Sequence, residues 1–304
     1  MIRNWGRSAL GALAVPVLLA GCQVAGPSPA AGDPIRVVAA ESSWGSLAAQ
    51  LGGTRVEVVS LVSSPNIDPH SYEPTSANAR DVAISQVIIT NGLGYDTWAT
   101  KLAKANPNPE RRIVDVGTVV GLSTGSNPHR WYSPTDVGLV INAITTAYIA
   151  LDPADRANFE QLRQQLITGG FAQYNAALLA IRTSYAGVAV GASESIFAPL
   201  AQALGLNLIT PISFLRAISE GTDPTVADQV TINTQLSQHL IKVYVENVQN
   251  RTPDVARQAE LARANGIPVV AVTETLSPTS ATFQQWQTDQ LQKLAAALKQ
   301  ATTP

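Results

Sequence analysis

The sequence predicts an α/β protein of two domains, each built on a four-stranded parallel sheet flanked by helices, joined by a long backbone helix. Three observations lead there. Eight short runs rich in Val and Ile recur between longer helical patterns. These runs are almost continuously apolar, which marks strands covered on both faces, as in parallel sheets. They also fall into two groups of four, separated by a stretch, 133–185, that carries no strand signal.

The first group comprises 35–39, 56–62, 87–90 and 112–116, and the second 187–190, 207–209, 242–246 and 268–272. Between them Phe159, Leu162, Leu166, Phe171, Tyr174, Leu178, Ile181 and Tyr185 recur at steps of three to five, close to one helical face. Gly169-Gly170 interrupts that helix, and each glycine costs about 1 kcal/mol relative to alanine, so a kink or break is expected there. A last amphipathic helix over 281–300 carries Trp286, Leu291, Leu294 and Leu298 and closes the second domain. The predicted boundaries are 35–150 for the first domain, 151–186 for the linking helix and 187–304 for the second domain.

Ahead of the first strand the composition changes. Arg3 and Arg7 precede an apolar run over 8–20, too short to span a bilayer comfortably, so 1–21 reads as a secretory signal peptide. The run ends in Leu19-Ala20-Gly21-Cys22, which resembles the bacterial lipobox, whose cysteine is lipidated and becomes the first mature residue. Cys22 is the only cysteine, so no disulfide can form within the chain. Residues 22–34, small and rich in Pro and Gly, read as a tether. Without Arg3 and Arg7 there are 18 basic against 22 acidic residues, a net charge of −4. With no basic run and no basic stripe interleaved with aromatics, a nucleic-acid partner is not expected.

Ligands of open α/β sheets bind beyond the carboxyl ends of the strands. Four segments in such positions carry a candidate metal ligand: His70 in Asp68-Pro-His-Ser-Tyr-Glu-Pro-Thr75, His129 in Asn127-Pro-His-Arg-Trp-Tyr-Ser-Pro134, Glu194 in Gly191-Ala-Ser-Glu-Ser-Ile-Phe197, and Glu274 in Thr273-Glu-Thr275. Each half offers two. A proline before each histidine fixes φ and removes a backbone donor, which stiffens the loop presenting the imidazole. Two neutral imidazoles and two carboxylates suit a divalent first-row ion, with manganese, iron and zinc all compatible.

These segments carry a family resemblance. Together with Ile88-Ile-Thr-Asn-Gly-Leu-Gly-Tyr-Asp-Thr-Trp98 and Val243-Tyr-Val-Glu-Asn-Val248, they make the chain resemble, from about residue 35 to 300, the substrate-binding lipoproteins of bacterial zinc and manganese ABC importers, the cluster A-I receptors. The resemblance implies a cleft between the domains in which His70, His129, Glu194 and Glu274 hold manganese or zinc, with iron as a further possibility, as cargo and without catalysis. It also implies a permease as partner and a lipid anchor at Cys22. The protein would be a monomer on the outer face of the cytoplasmic membrane. Glu274 stands where the family usually has Asp, and Asn127 where Asp is more usual. Neither a third histidine at position 194 nor a His-rich loop, which zinc-selective members often carry, is present, since 122–126 is Leu-Ser-Thr-Gly-Ser. Fewer nitrogens and more oxygens lean toward manganese.

Other residues are read as supporting or bland. Asp68 and Glu73 flank His70 and are either acceptors for an imidazole N–H or turn residues. His239 is expected at a helix end, Trp98 and Trp131 as packing near the cleft, and Asn91-Gly92-Leu93-Gly94 as a tight turn, because it lacks a phosphate-loop spacing. Two other functions compete: a secreted metallohydrolase, whose zinc would need an open position for water, and a receptor for a metal chelate or haem-type ligand, which would need a wider apolar cleft. An added adhesion role is compatible with the sequence.

Overall fold

The computed structural model describes Met1 and residues 32–65, 67 and 72–303. The expected signal peptide, Cys22 and most of the expected tether therefore lie outside the described residues, as do Asp68 and His70.

In the first half the chain runs β1 (Ile35–Glu41), α1 (Ser42–Gly52), β2 (Val56–Val62), α2 (Ser76–Ile84), β3 (Val87–Thr90), α3 (Thr97–Ala105), β4 (Arg112–Asp115) and the short α4 (Val116–Val119). The helices α5 (Pro134–Leu151), α6 (Arg156–Gln165) and α7 (Ala172–Tyr185) follow. The second half runs β5 (Ala189–Ala192), α8 (Ala198–Leu204), β6 (Asn207–Leu208), α9 (Ile212–Ser219), α10 (Val226–Ser237), β7 (Val243–Asn247), α11 (Pro253–Ala264), β8 (Val269–Val272) and α12 (Phe283–Thr302).

Both sheets are parallel throughout and share one topology, β2-β1-β3-β4 and β6-β5-β7-β8. The strand order turns back at β1 and at β5, which makes the carboxyl ends of those strands and their neighbours the crevice of each sheet. The inner strands explain their own sequence. All of Val87–Thr90 in β3 and all of Val243–Asn247 in β7 are buried, whereas β2, on an edge, alternates half-buried and exposed residues over most of its length. Each isoleucine fully buried in β3 contributes about 2 kcal/mol of burial free energy.

The β5 strand corrects the sequence reading. It was expected at 187–190 and lies at 189–192, because Gly187 takes a left-handed φ of +83° and ends the preceding turn. The strand then continues through Gly191 and Ala192, which are too small to give an apolar signal. The double glycine at 169–170 falls at the end of a π-helical stretch, Leu166–Gly170, that separates α6 from α7. An extra residue in a helical turn is a common way to absorb such a weak point.

One hydrophobic cluster runs through both halves, from Trp44 and Trp131 to Phe283 and Trp286, and takes in Phe159, Phe171, Tyr174 and Ile181 of the predicted helical face. Polar ties reinforce the join. The amides of Gln50 on α1 and Gln284 on α12 pair with each other at 3.2 and 2.7 Å, and the Tyr132 hydroxyl donates to Thr273 O at 2.9 Å. At the start of α12, Thr282 and Gln285 form a capping box, and Ser133 caps α5 ahead of Pro134.

Candidate metal centre

The carboxyl ends of the two sheets face each other, and the candidate ligands converge between them. His129 Nε2 lies 3.9 Å from Glu194 Oε1 and 3.9 Å from Glu274 Oε2. One ligand atom from each of the three residues falls within 4.8 Å of the others. Bonds of about 2.0–2.2 Å to one ion place its ligand atoms roughly 3–4 Å apart, so the spacing fits a single small cation. His129 and Glu194 are 0% exposed and Glu274 1%, and uncompensated carboxylates at such depth are strongly disfavoured.

His129 follows Pro128 at the entrance to a short helical turn, Arg130–Tyr132. Its ring is packed edge to face against Tyr95 and Trp131. Asn127 sets its orientation. The Asn127 side-chain amide donates to Ser195 O at 2.7 Å, and its oxygen accepts the His129 backbone N–H at 3.0 Å. That fixes which end of the amide is oxygen, so the His129 Nδ1 atom, 3.0 Å from the same oxygen, must be the donor. Ser195 Oγ stands 3.3 Å from Nδ1 and is held in turn by Ser219 Oγ at 2.7 Å. The Nε2 atom therefore carries the lone pair and points toward the carboxylates, as a metal-binding imidazole requires.

The carboxylates are held by amides from the end of β7 and the turn after it. Asn247 Nδ2 donates to both, at 2.7 Å to Glu194 Oε1 and 2.8 Å to Glu274 Oε1. Asn250 Nδ2 takes Glu194 Oε2 at 2.7 Å, and the Tyr95 hydroxyl donates to Glu274 Oε2. Burial and the neighbouring charge of Glu274 push the Tyr95 phenol well above its ordinary range, so it remains a donor. Asp96 clamps the turn that presents Tyr95 by accepting the Asn91 and Gly92 backbone N–H groups at 2.7 and 2.8 Å. Gly92 sits there at φ +67°, and a Cβ would meet the Asp115 carboxylate at 2.4 Å. Burial pushes Asp96 up to about 6 even against those two donors. Behind it Glu41, at the end of β1, is held well above the usual carboxylate range by burial and by the adjacent Asp96 charge.

Three of the four predicted ligands are thus brought together, and His70 lies outside the described residues. Glu73 is exposed. His239 ends α10 with φ +56°, and its Nε2 lies 2.8 Å from Asn265 O, far from the cluster in role. Trp131 is fully buried beside His129, and Trp98 packs on Tyr72. Sequence reasoning missed Tyr95, Ser195, Asn247, Gln249 and Asn250 as supports. Tyr95 and Asn247 stand inside motifs already singled out, whereas nothing in the sequence sets Gln249 or Asn250 apart from ordinary turn residues. Beside the cluster a cleft of about 560 Å³ opens between the halves, bordered by Tyr95, Asn127, Ser195 and Asn250.

Two facing parallel sheets with a buried set of candidate cation ligands between their carboxyl ends define the two-lobed architecture of a binding protein. The chain belongs to the family described as "Zinc-uptake complex component A periplasmic", which matches residues 37–297. It is similar to the iron ABC transporter substrate-binding lipoprotein MtsA of Streptococcus pyogenes serotype M1, 27% identical over 165 residues, which is 50% of this chain and 53% of that protein. It is also similar to the manganese ABC transporter substrate-binding lipoprotein PsaA of Streptococcus anginosus, 27% identical over 158 residues, 48% of this chain and 51% of that protein. The chain spans about half the length of these curated relatives. Among solved structures, the Mn-bound periplasmic metal binding protein of Candidatus Liberibacter asiaticus shares the fold, with a TM-score of 0.73 and 21% identity over 86% of this chain and 98% of that one. FpvC of Pseudomonas aeruginosa, with Ni2+, does so with a TM-score of 0.74 and 18% identity over 90% and 99%.

Proposed function

We propose that this protein captures one divalent transition metal ion, manganese or zinc with iron as a further candidate, and delivers it to the permease of an ABC importer. His129, Glu194 and Glu274 bind the ion, and His70 supplies the fourth ligand from the loop after β2. The observation that carries this reading is the convergence of three buried ligand groups, drawn from both halves, on one ion-sized space. The curated relatives, named as iron and manganese ABC transporter lipoproteins, support the class of cargo. The protein acts without turnover, as a monomer held by a lipid on Cys22 at the outer face of the cytoplasmic membrane. Residues 35–150 and 187–304 act as two domains, and the helical segment between them limits their relative motion.

The test is elemental analysis of residues 35–304, stripped and then offered manganese, iron and zinc in competition at fixed free concentrations. One equivalent of a single metal, lost on His70→Ala and on His129→Ala, is the expected result. Stoichiometric metal retained by both variants sinks the site, and no metal in the parent protein sinks the function.

A further inference from the structure

The end of β7 and the turn that follows it do more than hold the two carboxylates. Gln249 is half-buried, and its side chain reaches in two directions at once. Its Oε1 accepts the backbone N–H of Glu274 at 2.7 Å and of Thr275 at 3.0 Å, with the Thr275 hydroxyl at 3.2 Å. Its Nε2 donates across the cleft to Ile67 O at 3.1 Å, three positions before His70 in the loop after β2. Its own backbone N–H donates to Asn247 Oδ1 at 3.0 Å, which turns the Asn247 Nδ2 toward Glu194 and Glu274.

From this we infer that Gln249 is a positioning residue that sets the Glu274 loop of the second half and the Ile67 loop of the first half with a single side chain. The inference rests on the metal-capture reading above for its consequence, that metal release and the registry of these two loops are coupled. Glutamine is the side chain the geometry asks for. It offers an acceptor and a donor on one planar group without charge. Glutamate keeps the acceptor but loses the donor, methionine fills the space with neither, and asparagine is one methylene short of the same span. A cation at this position would compete with the metal for the carboxylates, whereas a neutral amide leaves their charge intact.

The experiment compares Gln249→Glu and Gln249→Met with the parent protein in two measurements. The first is backbone hydrogen exchange of the chelator-stripped protein, read on peptides covering 61–67 and 272–276. The Met variant is expected to lose protection in both segments, and the Glu variant in 61–67 alone. The second is stopped-flow release of bound manganese or zinc into excess chelator. Release is expected to be about tenfold faster in the Met variant, the effect of losing a tie worth one to two hydrogen bonds, with the association rate unchanged. Unchanged exchange at 61–67 in both variants, or release at the parent rate, overturns the inference. Because exchange is read without metal, a parent protein that binds none would defeat the metal-capture reading while the exchange still decided whether Gln249 ties the loops.

Discussion

The two halves support their candidate ligands by different means. In the first half the imidazole of His129 sits in an aromatic box of Tyr95 and Trp131, with Trp44 packed edge-on behind Trp131, and donates one directing hydrogen bond from Nδ1 to the Asn127 side-chain oxygen. In the second half the carboxylates of Glu194 and Glu274 sit among amides, with Asn247 shared between them and Asn250 on the far oxygen of Glu194. The difference follows charge. A neutral ring can be oriented by packing and one acceptor. A buried carboxylate needs donors, and amides supply them without cancelling the charge that a divalent cation is to meet. The same topology, built twice, thus presents a neutral ligand from an apolar surround and anionic ligands from a polar one.

The sharpest break of this comparison removes the ligands themselves. His129→Ala is expected to lower metal affinity at least ~100-fold, since a ligand should count for more than the outer-shell partners whose loss typically costs 10–100-fold. Calorimetric titration with chelator competition checks it, and a loss below tenfold would sever the aromatic half from the site. Next comes Asn247→Leu, which leaves one oxygen of each carboxylate without its amide donor. A loss of roughly 10–100-fold is expected in the same titration, with Glu194→Gln as the reference for a missing ligand charge.

A smaller effect tests the acid beneath the first half. Glu41 is held above its ordinary range by burial and then by Asp96, so the folded state favours its protonated form. Its unfavourable ionisation is absent below the unfolded value of about 4.3 and grows as the pH rises toward the raised folded value. Glu41→Gln should therefore match the parent protein in thermal midpoint at pH 4 and exceed it at pH 8, measured metal-free. A lower midpoint at pH 8 would mean that the Glu41 charge is needed. The smallest expected effect is His239→Ala, which should leave metal affinity unchanged, because its ring serves the end of α10 through Asn265.

Much of this was legible in the sequence. The apolar runs that read as strands are the inner and edge strands of two sheets, and the segments that follow them hold His129, Glu194 and Glu274. The largest displacement is that of β5, by two residues, since Gly191 and Ala192 extend the strand without the side chains that periodicity detects, while β7 lies one residue further on than expected. Thr282 and Gln285, spaced as a capping box, stand at the start of the predicted last helix. Of the supporting amides Asn247 stood inside a motif already singled out, whereas Gln249 and Asn250 were not legible, because side chains after a strand look like any polar turn.

The sequence by itself determined the strand and helix order and the types of candidate ligand, since these follow from side-chain periodicity and from chemistry that each residue carries alone. Only the tertiary structure decided that one Asn247 amide serves two carboxylates, that Asn127 holds His129 in the tautomer with its proton on Nδ1, and that Gln249 spans 182 positions to reach Ile67. Hydrogen bonds act over about 3 Å, and those distances exist only once the two halves have packed with the carboxyl ends of their sheets toward each other.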